Sequence, residues 1–204
     1  MKYGQEKGSI PPNWRIGNGF MKKEISRLLF EAGLLKTVRR SGWDIARAPR
    51  ESVAEHVYRT CIVGMVLAKM AKLNEKEELL LLKACALHDL HEARVGDLHK
   101  LAQKYVKVNS KEVEESMLEG AGEPIKKSFE GALYGLPQKI KNYLEDADKI
   151  ECAITAKEYV DLGYRTNTWI ENVKKRVKTK EGKELLVNIL KFDSQSLLYD
   201  IRKK

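Results

Sequence analysis

The residues able to do chemistry are concentrated in a few places. The stretch "LHDLHEARVGD" at 87–97 brings two histidines, three acids and an arginine together at the end of an apolar segment, in a chain that has only four histidines. Desolvating such groups is costly unless they are paired or bound to a metal. His56, in "ESVAEHVYRT", and Asp148, in "LEDADKIECA", add an imidazole and a carboxylate from two other helical stretches. Imidazole and carboxylate together suit a divalent ion such as Mn, Co, Ni, Fe or Zn. His56 from one helix, His88 and Asp89 from a second and Asp148 from a third can surround one ion inside a bundle. Each residue alone also fits an ordinary role. His56 could be a partly exposed first-turn residue, His88 and Asp89 a salt-bridged helix end, and Asp148 the partner of Lys149 or Lys141. Those roles explain less when taken jointly, because half of the histidines and two acids share the most apolar helices.

The elements that must position these residues are helical. Residues 1–20 carry Gly4, Gly8, Pro11, Pro12, Gly17 and Gly19 without periodicity and read as an irregular arm. A first helix is expected over 21–37, with Ile25, Leu28, Leu29, Ala32 and Leu35 on one stripe. The segment "RRSGWDIARAPRES" reads as a loop. Ser52 with Glu55, and Asn74 with Glu77, are capping boxes that start a second helix to about Leu73 and a third to about Arg94. The third is apolar nearly all round at 79–82 and 84–87, the pattern of a helix buried among others. Shorter helices are expected at 98–106, 110–120 and 124–132. A long one follows Pro137 to about Leu162, and two more occupy 167–178 and 182–202. No alternating Val/Ile/Thr-rich run appears, so no sheet is expected. The fold class is all-α, with residues 21–204 forming one domain.

Composition bounds the function. The hydrophobic fraction of 43% and charged fraction of 33% describe a globular protein. The apolar run "CIVGMVLA" is less than half of the ~18 residues that suggest a membrane span, and "MKYGQEKGSIPPNW" has no apolar core of a secretory leader. A cytoplasmic location is expected. Cys61, Cys85 and Cys152 lie far apart and read as small core residues rather than a disulfide framework or thiolate zinc site. The formal net charge of +9 suits an anionic substrate or nucleic acid. However, the densest basic run, "KKRVKTK" at 174–180, has no interleaved aromatics and reads as a solvated helix end.

"ESVAEHVYRT", "LHDLHEARVGD" and "DADKIECA" resemble, in the order H…HD…D, the three metal-ligand segments of the HD-domain metal-dependent phosphohydrolases. Within that superfamily the chain is similar to the 5'-deoxynucleotidase branch over roughly residues 21–200. The specific part is the longer string: Trp43, then "ESVAEH", then HD with a glutamate three and an aspartate eight residues after the HD aspartate. The resemblance implies an HD-type helical bundle in which His56, His88, Asp89 and Asp148 hold one divalent ion. It also implies that Glu92 and Asp97 act beside the ion, that Arg40 and Trp43 recognise a nucleotide, and that the protein is a homodimer. Trp43 lies three positions after Arg40, whereas the corresponding pair is adjacent in the bacterial enzymes, which leaves Arg39 and Arg50 as alternatives to Arg40.

Spacing agrees with the place of Glu92. On a continuous helix it is i+4 from His88 and i+3 from Asp89, on the face that both use. Asp97 follows Gly96 and could also cap a helix starting at Leu98. Relatives with two metals draw extra histidines from the segment before the last aspartate, where this chain offers His99 alone. A single-metal centre is expected, with His91 and His99 beside it or at the surface. The expected reaction is release of phosphate from deoxynucleoside 5'-monophosphates by attack of metal-bound water. Nucleoside di- or triphosphates and nucleotide analogues are the nearer alternative substrates. A basic helical module that binds nucleic acid is the farther alternative, and it would bind in a salt-sensitive way.

Overall fold

Helix-start chemistry determines where the main elements begin. Ser52 Oγ accepts a hydrogen bond from the Glu55 backbone N–H at 3.2 Å while the Glu55 carboxylate accepts from the Ser52 N–H at 2.6 Å. This satisfies orphan donors at both ends of the first turn and is worth about 1 kcal/mol. Asn74 and Glu77 do the same for the next helix. The computed structural model describes residues 23–196 and 201, so the expected arm at 1–20 lies outside the described residues. Among them the helices are α1 (Lys23–Gly33), α2 (Ser41–Ala46), α3 (Val53–Met70), α4 (Glu75–Leu87), α5 (Glu92–Val95), α6 (Ser110–Met117), α7 (Glu123–Leu133), α8 (Gln138–Asp161), α9 (Asn167–Arg176) and α10 (Lys180–Lys191). The described residues contain no strand, only an isolated antiparallel bridge between Arg39 and Ser52.

The longest helix, α8, is the axis of the fold. Its buried Ile140, Tyr143, Ala147 and Ile150 recur at the three-and-four spacing of one helix face, and they join Val63 and Leu67 of α3 and Leu81 and Cys85 of α4 in the main core. Small residues let these helices approach closely: a Cβ added at Gly64 would lie 2.9 Å from the Cys85 sulfur. A second cluster, including Leu28, Leu35, Val53, Leu90 and Met117, lies beneath the segment that follows α4. A third gathers Trp43, Ala156, Tyr159 and Ile170. No helix among the described residues is long and apolar enough to cross a membrane.

Five expectations need correction. The third helix does not run unbroken to Arg94: α4 ends at Leu87, and a tight turn leads into the short α5. Within it the Leu90, Glu92, Ala93 and Arg94 N–H groups bond back three residues, to Leu87, Asp89, Leu90 and His91, instead of four. Nor is α4 buried all round, since Leu79 is 56% exposed. The loop at 39–52 contains α2, and its ends are clasped by backbone bonds from Arg40 to Glu51 and from Val53 to Val38, each 2.9 Å. No α-helix starts at Leu98; only a 3-10 turn occupies Ala102–Lys104. The helix expected over 182–202 is interrupted: α10 ends at Lys191, and residues 192–195 are not helical.

Candidate metal centre and its cavity

His56 comes from the first turn of α3, His88 and Asp89 from the turn that directly follows α4, and Asp148 from the middle of α8. These three elements pack through the main core, which brings their polar ends to one point. His56 is 0% exposed, so the partly exposed first-turn alternative is set aside. Its Nε2 lies 3.3 Å from His88 Nε2, 3.3 Å from Asp148 Oδ1 and 3.5 Å from Asp89 Oδ2, and Asp89 Oδ2 is 3.2 Å from His88 Nε2. Donor atoms about 2.1 Å from a shared ion stand about 3.0 Å apart at right angles and about 3.4 Å apart at tetrahedral angles. The spacing therefore fits ligands arranged around one small cation. Ligand atoms of His56, His88 and Asp148 all lie within 4.8 Å of one another. Lys149, a candidate partner for Asp148, instead reaches Glu145 at 3.2 Å.

The electrostatics agree with that geometry. Burial opposes protonation of His56, but hydrogen bonds to Asp148 and Glu151 outweigh it and raise the pKa to about 9. For His88, burial is likewise outweighed by the neighbouring Asp89 charge, and the pKa is raised. Burial works against ionisation of Asp89, yet His88, His56 and Arg40 hold its carboxyl well below the usual range. The site thus stabilises positive charge at the point where the four groups meet. Two buried oxygens beside it, Asp89 Oδ2 and Glu92 Oε2, have no hydrogen-bond partner among the described residues. Buried polar atoms are rarely left so, and an oxygen-seeking cation with its water would satisfy both.

Each histidine presents Nε2 because Nδ1 is occupied. His88 Nδ1 meets the Cys85 carbonyl oxygen at 2.8 Å, and His56 Nδ1 meets the carboxylate of Glu151. The other two histidines are engaged elsewhere: His91 Nδ1 lies 3.2 Å from Glu114 Oε1, and His99 Nδ1 accepts from the Ala102 N–H. Neither belongs to the cluster.

The cluster opens into a cavity of about 350 Å³ lined by Arg40, Trp43, Asp89, Glu92, Asp97 and Asp148 among others. Arg40 Nη1 lies 3.5 Å from Asp89 Oδ2. Arg50 faces a different cavity, and Arg39 lines neither. Glu92 is 8% exposed, and burial together with the charges of Asp89 and Asp97 raises its pKa to about 8. Gly96, at a φ of 74° that favours glycine, turns the chain into Asp97. There Asp97 Oδ2 accepts from the Ser41 N–H at 2.7 Å. It therefore caps the start of α2 from a distance rather than a helix of its own.

Trp43 is 3% exposed, with Nε1 donating to Glu51 Oε2 at 2.7 Å and its ring edge-to-face with Tyr159. Trp169 of α9 stands 5.5 Å from it, tilted by 35°, and also lines the cavity. Sequence reasoning missed Trp169 and Glu151. The spacing of Trp169, Asn172, Val173 and Arg176 marks one helix face, but nothing in the chain says that this face meets the cavity. Glu151 is i+3 from Asp148, a signal that was available.

Four donor groups converging between buried helices, beside an arginine- and tryptophan-walled cavity, define an all-α protein with a candidate metal centre. The chain belongs to the HD-domain family, whose profile matches residues 32–188. It is 26% identical over 156 residues to the human 5'-deoxynucleotidase HDDC2, covering 72% of this chain and 74% of that protein. A solved structure of a conserved hypothetical protein from Pyrococcus furiosus is 30% identical, covers 81% of this chain and 98% of its own, and superposes with a TM-score of 0.63. The cyanophage S-2L HD phosphohydrolase DatZ, solved with dA and one catalytic Zn2+ ion, is similar in fold. Its TM-score is 0.53 at 17% identity, over 79% of this chain and 93% of its own.

Proposed function

We propose that residues 21–204 act as one HD-type domain that removes phosphate from deoxynucleoside 5'-monophosphates with the help of one divalent ion. The observation that carries this reading is the meeting of His56, His88, Asp89 and Asp148 at ligand spacing beside Arg40 and Glu92. The human relative's name supports the choice of substrate. In this reading those four residues hold the ion. When bound, a divalent ion polarises a phosphoryl oxygen and lowers the pKa of water toward about 7.

The other residues work on the substrate and the proton. Arg40, braced by Asp89, receives the anionic phosphate through a planar, multiply donating group. Glu92 accepts a proton from the attacking water, and its raised pKa keeps it close to balance near neutral pH. Asp97, by capping α2, holds Arg40 and Trp43 at the cavity wall. Trp43 and Trp169 flank the nucleoside end. The lining residues Lys100 and Arg176 offer cations beyond Arg40, which favours di- or triphosphates as a second reading.

The test is a phosphate-release screen over deoxy- and ribonucleotides as mono-, di- and triphosphates, with Mn2+, Co2+, Ni2+, Fe2+ and Zn2+ compared. Turnover of deoxynucleoside 5'-monophosphates is expected, and turnover of triphosphates alone would select the second reading. No turnover of any nucleotide with any ion would refute both. The homodimer implied by the resemblance has apolar surface available on α3, where Tyr58, Ile62, Met65 and Val66 are exposed. Sedimentation equilibrium would establish the oligomeric state.

A further inference from the structure

A buried carboxylate outside the donor cluster touches one of its members. Glu151 is 0% exposed, one turn along α8 from Asp148, and its Oε2 meets His56 Nδ1. Its other oxygen, Oε1, accepts from Arg59 Nε at 3.0 Å. Arg59 is itself held from three sides: Nη1 donates to Glu158 Oε1 at 2.7 Å, and Nη2 donates to the Thr155 hydroxyl and stands 3.6 Å from Glu51 Oε1. Both oxygens of Glu151 are thus committed to charged or ring donors, and the carboxylate has no freedom to turn away from His56.

The two histidines of the cluster are held differently. His88 has a backbone carbonyl on its far nitrogen, whereas His56 has a carboxylate that Arg59 also holds. A carboxylate on Nδ1 fixes the proton there, aims Nε2 at the cluster and makes that nitrogen more electron-rich.

We infer that Glu151, locked by Arg59, is a positioning residue that sets both the direction and the donor strength of His56 toward the ion. This rests on the metal-site reading above and adds to it a residue that touches neither ion nor substrate. The experiment is calorimetric titration of Mn2+ into the chelator-treated full chain and its Glu151→Gln and Glu151→Ala variants, with thermal melting of each metal-free protein. Glu151→Gln keeps the shape and an oxygen acceptor for Nδ1–H but removes the charge, so it should fold as the parent does and bind Mn2+ about 10-fold more weakly. Glu151→Ala should lose about 100-fold if it folds. The ranking Glu, Gln, Ala separates positioning from mere core filling. Affinity in Glu151→Gln within twofold of the parent overturns the inference, as does a loss of affinity that only follows a fall in metal-free melting temperature. A parent that takes up no Mn2+ overturns the metal site itself and the inference with it.

Discussion

Ligand and proton carrier make different demands on a residue, and substitution can tell them apart. Asp148→Ala should abolish measurable metal uptake, because it removes a donor 3.3 Å from His56 Nε2. Glu92→Ala should keep the ion and lose about 10²–10⁴-fold in kcat, the usual contribution of a positioned acid or base. Elemental analysis beside steady-state kinetics checks both, and equal metal loss in the two variants would overturn the roles. Glu92 also leaves a mark on stability. Its pKa rises from 4.5 in the unfolded chain to about 8 in the folded one, so between those values the folded protein holds a proton that the unfolded chain has released. Its contribution therefore weakens as pH rises through that window. In metal-free protein the stability of Glu92→Gln relative to the parent should grow from about pH 5 to about pH 8 in urea titrations. Parallel pH profiles for the two proteins would contradict this.

At the scale of elements, the helix boundaries are set by local chemistry that the sequence states openly. Ser52–Glu55 and Asn74–Glu77 announce α3 and α4, and both capping boxes are present. Ser52→Ala should cost about 1 kcal/mol in chemical denaturation. The tightening after Leu87 was not legible, because nothing in "LHDLHEARVGD" departs from helix-compatible composition. It follows from tertiary packing, in which Leu90 and Ala93 are drawn into the cluster with Leu28 and Val53. Close approach was equally hidden: "CIVGMV" does not reveal that Gly64 faces Cys85. Gly64→Ala should gain helix propensity yet destabilise by about 1–3 kcal/mol through the clash with the sulfur. The double variant with Cys85→Ala should recover most of that loss, and failure to do so would place the strain elsewhere.

For the whole molecule, the all-α class was legible from the absence of strand patterning and the run of helical periodicities. The three segments that meet at the candidate centre were legible as types and spacings. The walls of the cavity were not, because Trp169 reaches it from a helix more than a hundred residues beyond Trp43 in sequence. Since the candidate donors come from α3, the turn after α4, and α8, an ion binding them would tie together three of the helices that build the main core. A divalent ion at 100 times its Kd should raise unfolding stability by about 2.7 kcal/mol. Calorimetric melting with and without chelator should show that rise in the parent and none in Asp148→Ala.

The clasp at the base of residues 39–52 has an evolutionary consequence. Its two backbone bonds, from Arg40 to Glu51 and from Val53 to Val38, join chain segments that enter and leave side by side. What lies between them is a cassette anchored by its own stem, and lengthening a closed loop costs little, only about 0.6 kcal/mol per doubling. Selection can therefore rewrite the residues of this segment that line the cavity, and even their number, while His56, His88, Asp89 and Asp148 stay where they are.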